Sequence, residues 1–185
     1  VQAPSEGDNI QRFTLTATEL PLPGQAGSLA ANRVLVLTDD ESGVAQALAE
    51  ELRVRGHAVA LVRSGKDFGF PISDLGFYTA DLDSPGAVEQ LLDAIRQQQG
   101  PIGGLVHLLP LKRGMTLEEM DLRSWKERLR LEVKSLFYLA KNLRQDLKQA
   151  AQDGGACLVA ATRMGGSFAS VPQSGLAGEA QQFFP

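Results

Sequence analysis

The sequence predicts an α/β fold, a Rossmann-like, doubly wound and mostly parallel sheet of about five strands with an extra strand at the N-terminus. Two observations carry this. Short apolar runs without polar alternation recur along the chain, as at Val34-Leu35-Val36-Leu37 and Cys157-Leu158-Val159-Ala160-Ala161, which implies strands buried on both faces. Between these runs lie segments whose apolar residues recur at helical spacing, which implies crossover connections and parallel strands. At 185 residues the chain is one domain or a fragment, and 43% hydrophobic against 22% charged residues is a mixture that builds a packed core.

The elements follow in order. Residues 1–10 are polar and small and read as a linker or disordered end. Phe13, Leu15 and Ala17 alternate with threonines, which predicts a strand over 11–18, and the Pro- and Gly-rich stretch to residue 32 reads as a connection. The Rossmann-like domain spans 33–185, with its C-terminal end read as incomplete. Its first strand is the run after Arg33, followed by a helix with Val44, Leu48, Leu52 and Arg55 on related faces and Gly56 as its stop. Ala58 to Val62 forms the second strand and Phe77 to Ala80 the third. Ser84 and Pro85 suit the N-cap and first turn of a helix carrying Val88, Leu91, Leu92 and Ile95, which Gly100-Pro101 ends. Gly104 to Leu109 is the fourth strand. Thr116 and Glu119 make a capping-box pattern before a long helical segment with Trp125, Leu129, Val133, Phe137, Ala140 and Leu147 on one apolar stripe. Cys157 to Ala161 is the fifth strand, and a glycine-rich tail ends in Phe183-Phe184-Pro185.

Several function classes are disfavoured. A formal net charge of -4, with Lys and Arg scattered among acids, offers little to a phosphate backbone, so no nucleic-acid partner is expected. No apolar run approaches the roughly 18 residues of a membrane span, and there is no signal-peptide pattern. Cys157 is the only cysteine, so no internal disulfide forms; its apolar neighbours predict a buried thiol, and the expected location is the cytoplasm.

The residues that bear on chemistry cluster at strand ends. In a dinucleotide-binding fold the first strand-to-helix turn holds the pyrophosphate on glycine-flanked backbone N–H groups. Here that turn reads Thr38-Asp39-Asp40-Glu41-Ser42-Gly43, with Gly43 its only glycine. Two carboxylates about 4 Å apart repel by roughly 4 kcal/mol at an effective dielectric near 20, so the turn is expected to be hostile to a diphosphate, with Asp39 or Asp40 capping the following helix instead. Arg63, at the end of the second strand, is a candidate partner for an NADP 2′-phosphate, and Asp81, after the third, for an adenine amino group; against both stands the ordinary solvated strand-end charge. With Gly43, these are the candidate cofactor contacts. His107, within the fourth apolar run, is expected to be a hydrogen-bonded core histidine rather than a base, and neither it nor His57 has neighbours at metal-ligand spacing, so no metal site is expected.

A short-chain reductase needs a tyrosine four residues before a lysine, after the fifth strand. Tyr78 and Tyr138 are the only tyrosines, both precede that strand, and Asn142 stands where the lysine should follow Tyr138. Ser167 and Ser170 have no histidine near them in sequence. No catalytic residue is therefore assigned. The basic set Lys126, Arg128, Arg130, Lys134, Lys141, Arg144 and Lys148 is interrupted by Glu127, Glu132 and Asp146 and reads as a solvated helix face.

The order of Arg12-Phe13-Thr14-Leu15, of Arg33 to Thr38 leading into Asp39-Asp40, of Gly104-Leu105-Val106-His107-Leu108-Leu109, and of Leu158 to Gly165 with Thr162-Arg163 resembles the ketoreductase region of modular polyketide synthases and related multidomain fatty-acid synthases, most closely its N-terminal structural subdomain. The resemblance implies a degenerate Rossmann-like half that binds no cofactor itself and supports a catalytic half. That second half would bind NADPH and reduce a β-ketoacyl thioester on an acyl carrier protein. An exposed apolar surface near Phe183 and Phe184 would mark the contact between halves. The long helical segment departs from this pattern and suits instead an NADPH-dependent 3-oxoacyl reductase truncated before its tyrosine, with Lys134 and Thr162 matching the family's lysine and serine. A third reading is a carrier-protein interaction module using the basic helix face.

Overall fold

The computed structural model describes residues 28–66, 76–112 and 120–162. These form five strands and five helices: β1 (Val34–Thr38), α1 (Val44–Val54), β2 (Ala58–Ser64), β3 (Phe77–Ala80), α2 (Pro85–Gln99), β4 (Ile102–His107), α3 (Leu122–Leu129), α4 (Ser135–Asn142), α5 (Arg144–Gln152) and β5 (Cys157–Ala160). A 3-10 turn over Leu109–Leu111 follows β4, and a π-turn over Arg130–Lys134 joins α3 to α4. The strands make one sheet in the order β3-β2-β1-β4-β5, and every pairing is parallel. The expected N-terminal strand at 11–18, the Thr116–Glu119 capping box and the tail with Phe183 and Phe184 lie outside the described residues.

The core has two layers because successive strand residues point to opposite faces and both sets are apolar. On one face Val34, Val36, Val62 and Leu105 pack against Val88, Leu91, Leu92 and Ile95 of α2 and against Leu139 and Leu143 at α4. On the other, Leu35, Leu37, Leu61 and Val106 meet Ala45 and Ala49 of α1. The inward residues of α1 are thus those two alanines, with Leu48 and Leu52 partly buried beside them, while Val44 of the expected stripe is half exposed. Small residues there let the helix lie close on the sheet. Ser84 caps α2 as expected, its hydroxyl accepting from the Ala87 N–H at 3.4 Å, with Pro85 opening the helix.

The structure alters three further expectations. The fourth strand runs Ile102–His107 rather than 104–109, because Leu109–Leu111 turns away into the 3-10 helix. The fifth apolar run is a strand, but one not buried on both faces: Leu158 and Val159 are about half exposed, since β5 is an edge of the described sheet. Cys157 beside them is half-buried rather than buried, and burial still pushes its thiol up from its ordinary value.

The third alteration concerns the long helical segment, which is not one helix with one buried stripe. The row Trp125, Leu129, Val133 and Phe137 faces outward, and the row facing the core is Leu131, Ser135, Leu139 and Leu143. The two rows lie two residues apart, which is roughly half a helical turn. Ala140 and Leu147, placed by sequence on the first row, pack partly buried against the core. Among the described residues no helix is long and apolar enough to cross a membrane.

Candidate functional site

The strand order reverses between β1 and β4, and in open α/β sheets the crevice beyond the strand ends at such a point is where ligands bind. Here that crevice is knit shut at its floor by Thr38. The threonine Oγ1 accepts the N–H groups of Leu108 at 2.8 Å and Leu109 at 3.0 Å. With both lone pairs engaged, its proton points to Nδ1 of His107, 3.3 Å away, and His107 Nε2–H donates to the Glu132 carbonyl at 2.9 Å. That pairing assigns the neutral Nε2–H tautomer, and burial holds the imidazole below its ordinary pKa. His107 is the hydrogen-bonded core histidine the sequence suggested, a link from the sheet to the π-turn.

The acidic turn is built differently from the repelling cluster expected. Each of its carboxylates has its own partner. Asp40, wholly buried, reaches forward onto the start of α1, accepting from the Ala45 N–H at 2.8 Å and the Val44 N–H at 3.4 Å. Asp39, also wholly buried, takes Arg63: the guanidinium donates through Nε at 2.9 Å and Nη2 at 2.8 Å, and the Glu41 N–H adds a bond of 3.0 Å. Glu41 pairs with Lys112 at 2.7 Å, across the crevice from the segment after β4. Glu41 and Gly43 both adopt left-handed backbone, at φ 54° and 98°, so the loop folds its acids back onto the protein and Gly43 supplies the turn into α1 that a glycine makes without strain. Of the two acids offered by sequence as helix caps, Asp40 is the cap. The obstacle to an anion is therefore occupancy of the donors, more than repulsion by bare charge.

The other candidates are placed as follows. Arg63, besides its ion pair, lies 4.9 Å over the Phe77 ring. Asp81 closes the turn after β3, its carboxylate accepting from the Asp83 N–H at 3.0 Å and its carbonyl from the Ser84 N–H at 3.1 Å. Arg63 and Gly43 thus flank the acidic turn from two sides, while Asp81 serves the approach to α2. Tyr78 is buried with its hydroxyl between Gln98 and Gln99, and Tyr138 sits edge-on to Phe137 on α4. Lys134 and Thr162 are exposed, the first in the π-turn and the second beyond β5. Ser167 and Ser170 lie outside the described residues. No cluster of metal-ligating side chains occurs among the described residues. Sequence reading missed Lys112 and the bridging role of Thr38; both act on residues about 70 positions away, a pairing that no local spacing signals.

Strand order, crevice and a turn whose Asp40 caps the first helix together define a Rossmann-like α/β domain. The family profile described as Enoyl-(Acyl carrier protein) reductase matches residues 39–180, more than half of the chain, and the chain belongs to that family of short-chain reductases. No curated protein sequence matches it. Among solved structures, 3-ketoacyl-(acyl-carrier-protein) reductase from Brucella melitensis complexed with NADH superposes with a TM-score of 0.58 at 17% identity, over 73% of this chain and 59% of that one. NADH-dependent reductase A1-R′ complexed with NAD gives 0.57 at 20% identity, over 70% and 58%. An alcohol dehydrogenase from the archaeon Thermococcus sibiricus complexed with 5-hydroxy-NADP gives 0.53 at 20%, over 75% and 64%. These likenesses establish the fold, and the chain spans less than two thirds of the length of each of these proteins. A dinucleotide's diphosphate needs free N–H groups at the first helix. As the turn stands, those of Val44 and Ala45 serve Asp40 and the nearby guanidinium serves Asp39, so these residues do not fit that group.

Proposed function

We propose that this chain is the non-catalytic structural half of a polyketide or fatty-acid synthase ketoreductase, working in the cytoplasm beside a catalytic half that reduces β-ketoacyl thioesters on an acyl carrier protein with NADPH. One observation carries the reading: the two groups that would greet a dinucleotide's phosphates, the α1 N-terminus and Arg63, are each already engaged by a buried carboxylate of the same turn. The family match and the ketoacyl reductase among the structural neighbours support a place in a reductase system of this kind. On this reading the nicotinamide cofactor belongs to the partner half, and this half contributes packing.

Calorimetric titration with NADPH and with NADH tests the reading. No saturable heat is expected up to about 1 mM nucleotide, whereas a dissociation constant in the micromolar range, about -8 kcal/mol of binding, would overturn it. Such binding would favour the alternative, a truncated NADPH-dependent 3-oxoacyl reductase using Gly43, Arg63 and Asp81. What favours that second reading is the family match itself, which begins at Asp39 and so takes in the acidic turn.

A further inference from the structure

His107 ties four segments of the crevice floor together, and its hydrogen bonds close for a single protonation state. It ends β4, wholly buried, and is one of the two histidines in the chain. Its Nε2–H donates to the Glu132 carbonyl in the π-turn at 2.9 Å, its Nδ1 accepts from the Thr38 hydroxyl of β1 at 3.3 Å, and its own carbonyl accepts from the Ala161 N–H beyond β5 at 3.0 Å. The Thr38 oxygen already holds the Leu108 and Leu109 N–H groups at 2.8 and 3.0 Å. A protonated imidazole has two donors and no acceptor. Its new Nδ1–H would face a hydroxyl whose lone pairs are in use and whose proton lies on the same line, so donor would meet donor inside the protein. The carboxylates on the flanking segments are committed elsewhere: Asp39 to Arg63, Asp40 to the start of α1, Glu41 to Lys112 and Glu132 to Arg128. In the π-turn Arg130 and Lys134 are cations, as are Lys141, Arg144 and Lys148 on α4 and α5, where Asp146 is bonded to Arg96. The β5 strand brings only the Cys157 thiol, which burial keeps protonated.

We propose that His107 is a pH-sensitive clasp of the crevice floor: with the ring neutral it binds the π-turn to β1, and on protonation the ring leaves Thr38 and carries the π-turn away from the floor while the sheet stays folded. The longest contact is the one that yields. Thr38 keeps its two N–H groups at 2.8 and 3.0 Å, which leaves the 3.3 Å contact to Nδ1 to break, whereas the bond to the Glu132 carbonyl strengthens once the ring is charged. No residue of the π-turn is fully buried, so displacing it uncovers little of the core that holds the sheet. Burial disfavours the charged ring, which places release below the ordinary histidine value near 6.5. The inference stands on the crevice floor alone and does not depend on the ketoreductase reading.

Nitrogen-15 NMR of the intact chain, titrated between about pH 8 and 4.5, tests the clasp. The His107 ring nitrogens report protonation, and the amide signals of Glu132, Val133 and Lys134 are expected to shift along the same one-proton curve, with the displaced population growing by up to about tenfold per pH unit below 6.5. The amides of Leu108 and Leu109, and of Leu91 and Leu92 in α2, should keep their protection from exchange across that step. His107→Gln should abolish the step, whereas His57→Gln, at the other histidine, should leave it intact. Thr38→Ser keeps the hydroxyl and should retain it, so the parent chain and these two variants carry the comparison even where His107→Gln fails to fold. Three outcomes in the parent overturn the proposal: ring protonation with the π-turn amides unmoved, loss of protection at Leu108 and Leu109 before the π-turn shifts, or all amides changing together, which is global unfolding. A step that survives in His107→Gln overturns it too.

Discussion

Replacing Asp40 by alanine tests whether the acidic turn is seated on α1 as its geometry states. The carboxylate is wholly buried and accepts from two of the helix's first N–H groups, at 2.8 Å from Ala45 and 3.4 Å from Val44. Loss of a capping side chain costs about 1–2 kcal/mol, and loss of a negative charge at the positive end of the helix dipole up to about 1 kcal/mol more. Ala45 is itself wholly buried, so its N–H finds no easy replacement in water, which places the sum at the upper side, about 2–3 kcal/mol. For a chain of this length that corresponds to a fall in Tm of about 5–10 °C. Asp40→Asn keeps an oxygen for the Ala45 N–H and loses the charge, so about half the effect is expected. Urea unfolding followed by far-ultraviolet circular dichroism reads both, with an unchanged m-value marking a change in stability alone. If Asp40→Ala lies within about 0.5 kcal/mol of the parent, the value of an unremarkable surface change, the carboxylate does not hold the helix and the occupancy argument fails with it.

Other consequences are open to similar measurement. Arg63→Ala strands the buried Asp39 carboxylate and should cost about 2 kcal/mol, less than a fully buried pair because the arginine is 43% exposed, whereas Arg123→Ala, whose pair with Glu127 is exposed on both sides, should cost less than about 0.5 kcal/mol in the same urea titrations. Because burial depresses the His107 pKa in the folded state, the unfolded chain binds its proton more readily. Stability is therefore fully present above the unfolded value near 6.5 and falls as pH drops below it, by at most about 1.4 kcal/mol per pH unit, a slope that His107→Gln should remove from unfolding curves taken between pH 7.5 and 5. Gly104→Ala would place a methyl group 2.5 Å from Cys157 Sγ and 2.6 Å from Leu35 Cδ2, so overpacking should cost about 1–3 kcal/mol, and adding Cys157→Ala should return part of it; no recovery in the double variant would refute the contact.

The strands and the class of fold were legible because their signal is local. Val34 to Leu37 needs no partner to announce a strand buried on both faces, and Ser84-Pro85 announces a helix start by chemistry contained in two residues. What escaped the sequence was direction around a helix. Trp125, Leu129, Val133 and Phe137 look like a core stripe because burial is the usual reason for such a row, yet a second row, Leu131, Leu139 and Leu143 with Ser135 between them, competes for the core on the opposite side. Periodicity alone is symmetrical between the two. Packing against α2 decides it, aided by Arg96, whose guanidinium reaches Asp146 at 2.8 Å and the Asn142 carbonyl at 3.2 Å and so fixes which side of α4 and α5 faces inward. Sequence counted charges in the acidic turn correctly but could not pair them, since Arg63 and Lys112 arrive from β2 and from beyond β4.

That pairing changes the physical reason for doubting a nucleotide at this turn. Three bare acids would repel a diphosphate at long range, and salt would weaken the repulsion. Three acids that are each bonded leave little net field: Arg63 and Lys112 neutralise two, and the helix dipole balances part of the third. On this account any exclusion comes from competition, because a diphosphate would have to displace Asp40 from two N–H groups and Asp39 from the Arg63 guanidinium, leaving one buried carboxylate without its helix donors and the other without its counter-ion. Added salt does little to relieve a penalty of that kind, since it arises inside the protein where screening is weak. A turn that merely repelled nucleotides would begin to admit them as ionic strength rose, and one whose donors are occupied would not, so titrations with NADPH at low and high salt separate the two accounts.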